Sequence, residues 1–179
     1  MYTDPNGLEY RDKYGTWRSY SDKTYKLEAA MNNHKNDKYI SPKDVSPGEA
    51  TYQCDDYDQT VLRESTLYKA SLFAGNSQDK NVAEHIENAK DNGVEQNKKD
   101  AAPTLNKGSA YIVFMSDSPY KLQNHTGILR KSETGAIYFT HNSQHNASGG
   151  VSTRFFDNEL DFQEWYDYNS FYYEEIETN

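Results

Sequence analysis

After the run Tyr52-Gln53-Cys54-Asp55-Asp56-Tyr57, apolar residues recur at Val61, Leu62, Leu67, Tyr68 and Leu72. That spacing predicts a helix from Cys54 to about Phe73. Upstream, Ser21 is placed to cap a helix over about residues 22–33, with Leu27, Ala30 and Met31 turned inward. Residues 34–50 are rich in Asn, Lys and Ser, and Pro42 and Pro47 punctuate them as a loop. Another helix is expected from Asn81 to Asn92, where Val82, Ile86 and Ala89 align and Gly93 marks the stop. Residues 94–107 read as a polar connection, and His34 and His85 as surface residues of the helices.

From Ser109 the period changes to two. Ala110–Ser116 is almost continuously apolar and reads as a central strand. His125–Lys131 and Ala136–His141 flank the short turn Ser132-Glu133-Thr134-Gly135 and form a hairpin. Gly149-Gly150 open a strand over Val151–Phe156. Asp157 caps a short helix through Leu160, Phe162, Trp165 and Tyr166, and Phe171–Ile176 is a last strand. Helices first and an antiparallel sheet after make an α+β layout. Residues 1–20 read as an N-terminal extension, and residues 21–179 as one domain.

Composition narrows the classes. Hydrophobic content is only 35%, but 16 Tyr, 7 Phe and 2 Trp supply the apolar area for a core, which argues against disorder. A net charge of -9, with Lys and Arg scattered among acids, would repel a phosphate backbone, so nucleic acid is not an expected partner. There is no apolar run of spanning length and no basic-then-apolar leader. Neither a membrane span nor a signal peptide is therefore expected, and action outside the cell would need a dedicated secretion system.

Cys54 is the only cysteine, so it cannot form an intrachain disulfide. At a helix start, the dipole and the free N–H groups favour its thiolate. A hairpin symmetric about Glu133 pairs Arg130 with Ala136, Leu129 with Ile137 and His125 with His141. Directly opposed side chains have Cβ atoms about 4.5–5.5 Å apart, so the two imidazoles would project together from one face. One could take a proton from the thiol while the other, or Asn142, holds its ring: nucleophile, base and orienter. A slip of one residue would favour Asn142 as the partner. Cys54, His125, His141 and His145 are also metal-ligand types. His141 and His145 are spaced for a helix but lie in a loop-like segment, so no metal or cofactor is expected. Asp55 and Asp56 suit the dipole yet raise the thiol pKa by like-charge repulsion, unless they point outward to recognise a cationic substrate group. If Cys54 is merely buried, the Tyr- and Asn-rich surface would instead suit a non-catalytic carbohydrate-binding module.

Several of these segments together resemble the NlpC/P60 and CHAP group of papain-like cysteine peptidases and amidases. They are Cys54 at a helix start, Leu105-Asn106-Lys107-Gly108 leading to Ile112-Val113-Phe114, His125-Thr126-Gly127-Ile128, and Tyr138-Phe139-Thr140-His141. The likeness covers about residues 50–145, and it departs where Asp-Cys-Ser is usual and Gln53-Cys54-Asp55 stands here. It implies a nucleophile helix packed on a small antiparallel sheet, with Cys54, His125 and His141 as catalytic residues. The Cys54 N–H and the Gln53 side chain would stabilise the oxyanion. The implied substrate is a cell-wall peptide, or the muramoyl–alanine amide. A deamidase or transglutaminase-like toxin acting on a host protein would share the chemistry up to the thioester. Asp4-Pro5-Asn6-Gly7-Leu8 further resembles the element that ends an Rhs-type shell before a C-terminal toxin. That likeness implies an Rhs-type carrier, delivery into a target cell's periplasm and a cognate immunity protein.

Overall fold

The side chains of a six-stranded sheet sort into two apolar clusters, one on each face, because successive residues of a strand point to opposite sides. The protein is described by a computed structural model at residues 9–11, 17–19, 24–67 and 81–177. Strands β1 (Glu9–Arg11) and β2 (Trp17–Ser19) pair with each other. Helices α1 (Tyr25–Asn33), α2 (Cys54–Glu64) and α3 (Val82–Asp91) follow. Next come β3 (Gln96–Lys98), β4 (Ala110–Ser116), β5 (His125–Lys131), β6 (Ile137–Asn142) and β7 (Val151–Phe156). Helix α4 (Glu159–Trp165) and strand β8 (Ser170–Ile176) complete the chain. The main sheet runs β3-β8-β4-β5-β6-β7, and every neighbouring pair is antiparallel.

Strand β4 lies between β8 and β5, and its sides serve different layers. Ala110, Ile112 and Phe114 pack with Leu27 of α1, Tyr57 and Val61 of α2, and Ile86 of α3. Tyr111, Val113 and Met115 pack with Phe162 of α4. Burial on both sides explains the continuous apolar run that marked β4 in the sequence.

Four expectations need correction. The helix from Cys54 stops at Glu64. Thr66 turns left-handed (φ 60°), and the Leu67 N–H bonds the Leu62 carbonyl at 2.8 Å, a Schellman stop. The polar connection 94–107 contains β3, which pairs with β8 at the sheet edge. The hairpin register is slid by two residues, so that Leu129 faces Phe139 and Arg130 faces Tyr138. Its turn closes on Ser132 and Ala136 with Gly135 left-handed (φ 93°), which moves the centre from Glu133 to Thr134. His85 is fully buried, not on the surface. Ser21, the expected first cap, lies outside the described residues, as do Tyr68–Phe73 and the segment Asp4–Leu8.

Candidate active site

A slip of two residues keeps the parity of a strand, so His125 and His141 still share a face. His141 now stands opposite Gly127, and His125 lies diagonal to it. The imidazoles meet: His125 Nε2 is 2.6 Å from His141 Nδ1. His141 is wedged between Phe139 and Tyr166, with ring centroids 5.1 and 6.1 Å away. Gly127 makes this possible, because a Cβ there would sit 2.7 Å from Phe139 Cε1 and 2.9 Å from the His141 Cβ.

Cys54 reaches the start of β5 from the other face of the sheet. The β5–β6 ladder ends at the pair Ile128–Thr140. Beyond it the start of α2 docks against both strands. On one side the Asn142 amide donates to the Tyr52 and Gln53 carbonyls at 3.1 and 3.4 Å. On the other the Thr126 N–H donates to the Cys54 sulfur, which also receives the Asp55 N–H. The sulfur is therefore bonded to the residue that follows His125. Asn142, fully buried on the strand face opposite His141, ties the start of α2 to β6 through its bonds to the Tyr52 and Gln53 carbonyls.

The acids of the first turn are engaged by neighbours and do not reach outward. The Asp56 carboxylate accepts the Gln53 N–H at 2.8 Å, which caps α2 and fixes Cys54 as its first residue. Asp55 is buried, with Oδ2 3.4 Å from His85 Nε2. Asp58, one turn on from Cys54, is fully buried, and its Oδ2 is 2.7 Å from the Thr126 hydroxyl. Burial, then the nearby Asp55, push the Cys54 thiol well above its ordinary pKa. Burial, His141 and His145 hold the His125 pKa well below 6.5, and burial and Arg154 pull His141 down to about 4. Burial thus favours a neutral thiol at Cys54 and neutral imidazoles at His125 and His141.

His85, Asp58 and Thr126 escaped the sequence reading, although spacing marked two of them. Val82, His85, Ile86 and Ala89 form one helical stripe, and so do Cys54, Tyr57, Asp58, Val61 and Leu62. His145 is exposed in the loop after β6. Among the described residues no group of three or more His, Cys, Asp or Glu is placed to hold a metal ion, and no helix is long and apolar enough to cross a membrane. Neither the protein-family models nor the curated proteins compared with this chain match it.

Proposed function

We propose that the protein is a papain-like cysteine hydrolase in which Cys54 attacks an amide carbonyl, His125 is the base and His141 holds the base. The observation that carries this reading is the His125–His141 contact of 2.6 Å at the residue next to the thiol's own hydrogen-bond donor. With its proton on Nε2, His125 donates to His141 Nδ1 and keeps Nδ1 free as a base. His125 takes the thiol proton as the sulfur adds to the carbonyl, and returns it to the departing amine as the C–N bond breaks. Water, activated by the same imidazole, then cleaves the thioester to a carboxylic acid and restores the thiol. The Cys54 N–H at the start of α2 supplies an oxyanion donor, with the Gln53 side chain beside it.

The likeness of residues 50–145 to the NlpC/P60 and CHAP group supports a peptidoglycan substrate, either a stem peptide bond or the muramoyl–alanine amide. Delivery to the periplasm by an Rhs-type carrier, with an immunity protein covering the cleft, extends the same reading. The carbohydrate-binding alternative loses part of its surface, since Tyr57, Tyr111, Tyr138, Tyr168 and Tyr172 are buried while Tyr25 and Tyr120 stay exposed. Digestion of purified sacculi in the presence of hydroxylamine tests the chemistry. A thioester partitions to hydroxylamine, so mass spectrometry should find hydroxamate-capped fragments beside the free acids. Fragments without any hydroxamate would mean that water attacks directly, and would overturn a Cys54 acyl-enzyme. Ammonia released from a protein glutamine, with sacculi untouched, would move the same site to a deamidase.

A further inference from the structure

Thr126 Oγ1 lies 2.7 Å from Asp58 Oδ2 and 2.7 Å from the Val113 carbonyl oxygen. A threonine hydroxyl carries one hydrogen, and an ionised carboxylate and a carbonyl are both acceptors only. Both short contacts are hydrogen bonds only if the second hydrogen comes from Asp58. The direction of the chain is then fixed: the Asp58 hydroxyl donates to Thr126 Oγ1, and Thr126 donates to Val113. Asp58 Oδ1 is buried with no hydrogen-bond partner among the described residues, a far smaller cost for the carbonyl of a neutral acid than for a carboxylate.

We propose that Asp58 is held as a neutral carboxylic acid and, through Thr126, is the positioning residue that clamps the start of β5 to the Cys54 end of α2. The proposal rests on the hydrolase reading for its purpose. Thr126 is bonded at both ends of its residue: the side chain to Asp58, and the backbone N–H to the Cys54 sulfur. His125 precedes it directly, so the clamp sets the nucleophile against the base. Neutrality matters because Asp58 is one turn from the thiol, where a second charge would oppose the thiolate that the reaction forms. The charged or titratable neighbours are Cys54, Asp55 and Asp56 on its own helix, the last two adding to burial in raising the Asp58 pKa. From α3, His85 reaches Asp55. Arg130 of β5 and Glu28 of α1 pair with each other and reach Asp58's neighbour Tyr57.

Linkage sets the sign of the test. In the unfolded chain Asp58 titrates near 3.9, whereas the folded protein keeps its proton above that, so the stability it contributes in acid is lost as pH rises. Asp58→Asn keeps a donor toward Thr126 and has no proton to lose. Its unfolding midpoint should match wild type near pH 4 and exceed it increasingly toward pH 8. A midpoint that falls below wild type at pH 8 would show an ionised Asp58 and overturn the proposal. A wild-type minus Asp58→Asn infrared spectrum at pH 7 should carry a protonated-carboxyl band, and a carboxylate band in its place would overturn it as well. Asp58→Leu, which cannot bond Thr126, should lose Cys54 alkylation rate in folded protein, and an unchanged rate would overturn the positioning role. None of these readouts uses turnover, so an enzyme inert on sacculi would defeat the hydrolase reading separately.

Discussion

Glycine at position 127 shows how a single residue governs the site. Phe139 and the His141 Cβ occupy the space that any side chain there would need. Gly127→Ala therefore pushes His141 away from His125, and overpacking of this kind costs about 1–3 kcal/mol. Urea unfolding should record that loss, and activity in the fully folded variant should fall further, because the base loses its orienting contact. Wild-type activity in a stable Gly127→Ala protein would mean that His141 has no role in the reaction. The residue types at this site were legible, since a lone cysteine before a helical period and two histidines on the strands of one hairpin stand in the sequence, while their shared face rested on the register. The Asp58–Thr126 contact was not, because it joins residues 68 positions apart through a hydroxyl whose partners depend on the docking of α2 on β5.

Among the elements, α2 is secured at both ends. Asp56 caps its start, and its last turn meets the end of α1 through His34, which contacts Glu64 by Nε2 and Asp37 by Nδ1 at 2.7 Å. Burial pulls the His34 pKa down, but the bonds to Asp37 and Glu64 outweigh it, and the net shift is upward. A folded value above the unfolded one, near 6.5, means that the contribution is complete below that pH and is lost as pH rises through the folded value. His34→Gln should therefore lower the unfolding midpoint most at about pH 6, with the deficit shrinking toward pH 9. A deficit independent of pH would show that the imidazolium is not what ties the helices. Helix identity was legible from period, whereas the stop of α2 was hidden, because Thr66 adopts a left-handed conformation that threonine rarely takes. In the hairpin, Gly135 marked the turn, but its left-handed geometry set the register two residues from the symmetric choice.

At the scale of the molecule, among the described residues α1, α2 and α3 pack on one face of the sheet and α4 on the other, and the candidate site lies where the β5–β6 ladder ends. The order of helices before strands was readable in the chain, and so was the central place of β4, from its unbroken apolar run. The edge strand β3 was not, because Gln96–Lys98 is polar on both sides and joins the sheet by backbone pairing with β8 and by polar side-chain bonds such as Gln96 to Ser170. This layout brings the Cys54 end of α2 and the His125–His141 pair to the same end of β5, where the proposed thiol chemistry would take place. Mass analysis of the fragments released from purified sacculi by wild type and by folded Cys54→Ala tests that most directly. Wild type should release fragments with one amide bond hydrolysed, and Cys54→Ala should release none; equal release by the two proteins would contradict Cys54 as the nucleophile.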